Sequence, residues 1–188
     1  MIIGEVIFLE KKDSIKNYFL CFILYSIIGW IYEVFLEVVI YKWGFSNRGV
    51  LFGPYCPVYG VGALIFIFTV YGLIKDKDLK KKLLMLPIIF ISCMFIATVV
   101  ELIASYLCEA FLGSWPWDYS GYKINFQGRI GLSPSVRFGL GGCAFLYILQ
   151  PLFEKLFNKM GKARDYVFYV VLGIFVIDII CTTISHIV

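Results

Sequence analysis

The sequence predicts an all-α polytopic membrane protein with five transmembrane helices, the N-terminus in the cytoplasm and the C-terminus outside. Three observations predict it. Of 188 residues, 61% are hydrophobic, 19% aromatic and only 16% charged, far from the balance of a soluble domain. Five windows, 18–41, 58–74, 83–112, 135–153 and 166–188, carry the run of about 20 apolar residues that crosses a hydrocarbon core of roughly 30 Å. The basic residues are also lopsided. Twelve of the seventeen precede the first window (Lys11, Lys12, Lys16), or fall between the second and third (Lys75, Lys77, Lys80, Lys81, Lys82) or the fourth and fifth (Lys155, Lys159, Lys162, Arg164). The positive-inside rule places those segments in the cytoplasm. It leaves Lys42, Arg48, Lys123, Arg129 and Arg137 outside. The chain, 1–188, reads as a single integral membrane domain, and its net charge of +4 reflects threading rather than a nucleic-acid partner.

The elements follow in order. Residues 1–9 are too short to span and read either as an interfacial amphipathic turn or as a strand-like arm; the first window is expected to double as the targeting signal. In that window Glu33 and Glu37 lie four apart and share a helical face. Glu37 is close enough to the headgroups to be solvated there. Glu33 is deeper, where a carboxylate among lipid tails costs several kcal/mol and must face protein or a wet cavity. The loop NRGVLFGPYCPVYGVG, 47–62, then packs four glycines and two prolines into a shaped lead-in to the second window. Pro54 and Pro57 forbid helix until that window starts.

The charged run KDKDLKKK after it reads as a topology anchor. The third window is thirty residues long, more than a perpendicular span needs, and bears Glu101, Ser105, Cys108 and Glu109. The loop GSWPWDYSGYKINFQGR carries Trp115, Trp117 and Tyr122 as interfacial anchors, with Asp118 between Trp117 and Tyr119, and Asn125 and Arg129 beyond. Gly139, Gly141 and Gly142 open the fourth window for close helix contact, and Pro151 is expected to break its cytoplasmic end. Asp178 lies near the centre of the fifth with Thr182 one turn on, and the lone His186 near its end reads as interfacial. Six cysteines form no CxxC pair and no Cys/His cluster, so neither a metal site nor a cofactor is expected; a Cys56–Cys108 bridge is conceivable, with free thiols the plainer reading.

Aligning Gly49 with Gly128 matches Leu51 to Ile130, Tyr59 to Phe138, Gly60 to Gly139, Val61 to Leu140 and Gly62 to Gly141. Windows one and two would then be a parallel repeat of windows three and four. The threading also has Glu33, Glu101 and Asp178 entering the outer half of the bilayer on three outward-running helices, with Arg48, Arg129, Arg137 and Asp118 arriving from the same side. Pairing avoids the isolated-ion penalty. A mixed carboxylate and guanidinium site is therefore expected there, formed by Glu33, Asn47, Arg48, Tyr59, Glu101, Trp117, Asp118, Tyr119, Asn125, Arg129, Arg137 and Asp178; the plainer reading is a set of pairs that only locks helices to loops.

The runs GWIYEV, NRGVLFGPYCPVYGVGAL, ELIASYLCEAFLGSWPWDYS and INFQGRIGL resemble the bacterial multi-span proteins labelled ABC-transporter permease (type IV, CmpB-like), over roughly 18–178. The resemblance implies a bacterial cell-membrane transport component. No GxxxxGK[ST] phosphate loop exists in the chain, so any ATPase would be a separate subunit. Five spans make a small pore, and a permease would have to dimerise or join other subunits. A different reading is a membrane-embedded enzyme acting on a lipid or isoprenoid at the outer leaflet, with Glu33, Glu101 and Asp118 as acid–base groups. No Ser/His/Asp or Cys/His spacing supports nucleophilic catalysis, which ranks it second. A third is an assembly or regulatory membrane protein docking a partner through its outer loops.

Overall fold

The computed structural model describes residues 2–187, with side chains from 14 to 185. Residues 1–9 were left open as turn or arm; from Ile2 on they belong to a helix, their side chains outside the described residues, as is that of His186. Helix α1 (Ile2–Phe35) runs into a π-helical turn, Leu36–Ile40. After a loop come α2 (Pro57–Thr69), a short 3-10 turn at Tyr71–Leu73, and α3 (Leu79–Leu112). A small antiparallel hairpin, β1 (Asn125–Phe126) with β2 (Ile130–Gly131), precedes α4 (Leu132–Ala144). A second π-helical turn, Phe145–Leu149, joins α4 to α5 (Gln150–Met160), and α6 (Lys162–Ile187) closes the chain.

Among the described residues four helical stretches are long and apolar enough to cross a membrane: Ser14–Ile40, Leu79–Leu112, Leu132–Met160 and Lys162–Ser185. The second apolar window forms the shorter helix Pro57–Leu73. Pro57 is its first residue, where a missing N–H costs no hydrogen bond. Helix α3, with 34 residues, is roughly 50 Å long at 1.5 Å per residue, well beyond the hydrocarbon core.

Pro151 does not break the fourth span. It is the second residue of α5, directly after the π-helical turn, and the helix continues to Met160. A proline ring collides with the carbonyl four residues back and leaves that carbonyl without a donor; the wider π turn makes room for the ring, which is why the expected end is a continuation.

The chain divides into two compact units, Met1–Gly60 with Phe153–Val188, and Val61–Leu152. In the first, α1 packs on α6 through edge-to-face rings, Phe19 on Phe168 at 5.3 Å and Phe22 on Phe175 at 5.7 Å. At one end of this pair the buried Lys16 sits 2.7 Å from Asp165. The loop before α2 docks on α1 by the Cys56 amide, which donates to the Ser26 carbonyl at 2.9 Å. In the second unit α4 packs on α3 around fully buried Ile89, Cys93 and Leu146. Thr98 donates to Ser135 at 2.8 Å across this contact, and Tyr147 donates to the Lys82 carbonyl at 2.7 Å.

Of the three glycine pairs matched in sequence, Gly60 with Gly139 and Gly62 with Gly141 behave alike, whereas Gly128 has a positive φ and Gly49 does not. Gly60 lies on Phe22 and Ser26, one turn apart on α1, and Gly139 lies on Phe90 and Met94, one turn apart on α3. Gly62 and Gly141 both face open space. Gly142 adds a contact with Cys93. Small residues let two backbones approach closely enough for dispersion contacts to replace the absent hydrophobic drive between helices in lipid.

Candidate functional site

In the first unit, the polar groups gather where α1 ends and the 41–56 loop folds back. The Tyr59 ring lies across Gly29, and from there its hydroxyl donates to Glu33, one turn further along α1. Glu37 is buried: Ser46 gives it both its amide, at 3.2 Å, and its hydroxyl, at 2.7 Å. Arg48 Nε stands 3.1 Å from the same carboxylate, an ion pair rather than an aligned hydrogen bond. Asn47 holds the loop together. Its oxygen accepts from the Trp30 indole at 2.8 Å, and its amide donates to the Leu51 carbonyl at 2.8 Å. Asp178 receives the Phe52 and Gly53 amides, at 3.1 and 2.8 Å, the Tyr55 hydroxyl and the Thr182 hydroxyl.

Burial and the neighbouring Asp178 raise the Tyr55 phenol well above its ordinary range, so it remains a donor. Burial, with Glu33 adding to it and Arg48 opposing it, pushes the Cys56 thiol up to about 12. All six cysteines are free thiols, Cys56 and Cys108 included.

In the second unit, α3 presents Glu101, Ser105 and Glu109 at intervals of four, and the 113–129 loop folds over them. Gly113, at φ +77°, ends the helix and turns the chain back. The hairpin turn then places Arg129: Gln127 and Gly128 both have positive φ, +54° and +68°, and the Arg129 amide closes the turn on the Phe126 carbonyl at 2.9 Å. Asn125 braces this turn by accepting the Gly128 amide at 3.0 Å, and Trp117 donates to the Arg129 carbonyl at 2.8 Å. The Arg129 guanidinium lies 3.9 Å from the ring centre of Trp115 and 4.1 Å from that of Tyr106. It donates to Glu109 at 2.5 Å and to the buried Ser105 at 3.3 Å. Tyr119 donates to buried Glu101 at 2.7 Å, and Arg137 to the Tyr122 hydroxyl at 2.8 Å.

Asp118 accepts the amide and then the hydroxyl of Ser120, at 2.8 and 2.9 Å, which holds its carboxyl below the usual range. It is exposed, and its oxygen fills the space a Cβ on Gly128 would need.

The expected residues thus sort into two roles. Glu33 with Tyr59, Glu101 with Tyr119, Arg129 with Ser105, and Asp178 form polar contacts at helix faces. Asn47, Asp118, Asn125 and Trp117 shape the loops that carry them. The arginines Arg48 and Arg129 pair with Glu37 and Glu109, neither among the expected site residues; the sequence reads Glu37 as close enough to the headgroups to be solvated. Tyr55, Tyr106 and Ser46 were missed. The signal that points to Tyr106 is its place beside Ser105, on the turn between Glu101 and Glu109.

Among the described residues no group of three His, Cys, Asp or Glu is arranged to hold a metal ion. The arrangement offers hydrogen-bond donors and paired charge, suited to binding a polar group and to holding a proton between carboxylate and phenol.

A family model described as "Putative ABC-transporter type IV" matches residues 20–183. No curated protein and no solved structure matches the chain.

Proposed function

Since this chain belongs to the ABC-transporter type IV family, we propose that it is the membrane-spanning component of an ABC-type transport system in the bacterial cell membrane. Its N-terminus is cytoplasmic, and a polar site in the outer half of the bilayer meets a small polar or anionic solute. The observation that carries the reading is the repeated module. In each half a loop arginine next to a glycine, Arg48–Gly49 or Gly128–Arg129, pairs with a glutamate at the C-terminal end of the preceding long helix. A deeper glutamate on that helix takes a tyrosine hydroxyl, Tyr59 on Glu33 and Tyr119 on Glu101, although the two tyrosines are not matched positions, Tyr59 aligning with Phe138. With the like contacts of Gly60 and Gly139, this supports two halves related by duplication.

The ATPase is a separate subunit, and two copies of this chain, or this chain with others, complete the pathway. The glutamate–tyrosine pairs are the groups suited to proton-linked gating, and the arginines to charge complementarity. The test is solute uptake in cells carrying Glu33→Gln with Arg48→Ala, alongside affinity purification of the wild type in mild detergent. Expected are loss of uptake and co-purification of an ATPase subunit. Uptake unchanged by the double substitution counts against the reading.

A further inference from the structure

The two arginine–glutamate pairs each join a loop arginine beside a glycine to an acid near a helix end, but their burial is inverted. In the first, the glutamate is the hidden partner, its side chain 7% exposed against 26% for Arg48. Three groups hold it: the Ser46 amide, the Ser46 hydroxyl and Arg48. A carboxylate so held does not leave without stranding a buried charge. In the second, the arginine is hidden and the acid is not: the Arg129 side chain is 7% exposed and that of Glu109 45%. Arg129 is fixed from both sides by Trp115 and Tyr106, from below by Ser105 and through its backbone by Trp117. Glu109 is tied to this assembly through one oxygen on one nitrogen, Oε2 on Nη2.

Donor capacity is also left over. The Nε–H of Arg129 and the indole N–H of Trp115 are both buried, and neither has an acceptor among the described residues. Buried donors left unpaired keep the full penalty of their lost hydration. A single carboxylate oxygen uses little of what this site can give, and a tetrahedral oxyanion with more acceptor positions would use more of it.

We propose that Arg129 is the seat of a phosphate-type oxyanion and that Glu109 is a built-in competitor, which occupies the seat and swings out towards solvent when the anion arrives. The inference rests on the transport reading and deepens it by naming the ligand chemistry and the residue that regulates its access. The Arg48–Glu37 pair also leaves a buried Nε–H without an aligned acceptor, but its acid is locked by Ser46; it is the structural counterpart and takes no exogenous anion. A free phosphate compound and a phospholipid headgroup share this chemistry.

The experiment uses the full chain in nanodiscs of neutral phosphatidylcholine. It is titrated with inorganic phosphate, and separately compared with discs containing phosphatidylglycerol; binding is read by phosphorus NMR and by the shift in melting temperature. Removing an internal competitor raises apparent affinity by the inverse of the fraction of time the seat is free, so Glu109→Gln is expected to bind about tenfold more tightly than the wild type. Arg129→Lys keeps the charge but loses the flat stacked fork, and is expected to lose most of the affinity. Tightening with inorganic phosphate supports a free anion; tightening only with phosphatidylglycerol supports a headgroup. Glu109→Gln with a wild-type far-ultraviolet spectrum and no tightening towards either probe overturns the proposal. Because binding is read without transport, that result leaves the uptake test of the transport reading standing, and lost uptake sensitivity leaves the binding result standing.

Discussion

Tyr59 lies so closely across Gly29 that a single methyl group on the glycine would meet the phenol ring. The contact sets the reach of the Tyr59 hydroxyl to Glu33. Gly29→Ala is therefore expected to destabilise the protein by about 1–3 kcal/mol, the usual cost of overpacking. Gly62→Ala, on the same helix as Tyr59 but facing open space, should be neutral or stabilising by about 0.4–1 kcal/mol. Thermal melts of the two variants in one detergent check the contrast. Equal melting temperatures would contradict it.

The matched glycines make a graded prediction. An added Cβ at Gly60 meets the Phe22 backbone carbonyl at 2.5 Å, whereas at Gly139 it meets only side-chain atoms, Phe90 Cε2 at 2.8 Å and Met94 Cβ at 3.1 Å. Side chains turn aside more easily than a helix backbone does. Gly60→Ala should lower the melting temperature more than Gly139→Ala, with Gly141→Ala, in open space, close to the wild type.

Asp118 gives the 118–128 loop a defined acid response. Its carboxylate is stabilised by the Ser120 amide and hydroxyl, so its pKa in the folded loop lies below the ordinary Asp value of 3.8. The stabilisation is fully present above that ordinary value and disappears as pH falls through the lowered one. Hydrogen exchange at the Ser120 amide, corrected for intrinsic rates, should accelerate in that window. In Asp118→Asn the acid step should vanish, because the remaining amide oxygen does not titrate.

The Cys56 thiol, raised to about 12, is predicted to resist alkylation. At pH 8 its thiolate fraction is on the order of one in ten thousand, and the thiolate is the nucleophile. Peptide mapping after iodoacetamide treatment should find Cys56 unmodified in the folded protein and modified after denaturation. Rapid modification in the folded state would mean that the Cys56 to Ser26 docking contact opens.

Asp178 is predicted to act as a clasp. Asp178→Asn presents an amide group where the Phe52 and Gly53 amides and the Tyr55 hydroxyl all donate. A loss of about 1.5–3 kcal/mol, the worth of hydrogen bonds to a charged group, is expected in a denaturation series. Limited proteolysis of the 41–56 loop should speed up in parallel.

The helices were legible because hydropathy over about 20 residues is a property of the chain alone. The family was legible for a similar reason: its motifs are runs such as GPYCP and WDYS, local in sequence. Pairing was much less so. Glu33 and Glu101 drew attention by their depth, but nothing in the spacing says that the hydrogens they accept come from Tyr59 and Tyr119, 26 and 18 residues away. Glu37 reads from sequence as near the headgroups and Glu109 as near a helix end, yet they take Arg48 and Arg129, because loops that fold back over helix ends carry arginines to them. Asn47 and Asp118 have the opposite lesson: both are polar residues in dense motifs, yet Asp118 spends its hydrogen bonds on its own loop, and Asn47 divides its own between its loop and Trp30 of α1. Pro151 was misjudged because a helix break is the usual result of a proline, and a π turn cannot be seen in composition.

The π-helical turn at 145–149 has a meaning for how this chain tolerates change in length. Such a turn is one residue more than an α-helix needs, so a deletion within it would restore regular winding. Everything beyond would keep nearly the same face towards its neighbours, because the π turn winds about as far as an α turn with one residue fewer, and Pro151 would be left pressing on an ordinary turn. A one-residue deletion, which would twist a regular stretch of helix by about 100°, should at this spot disturb the fold mainly through Pro151.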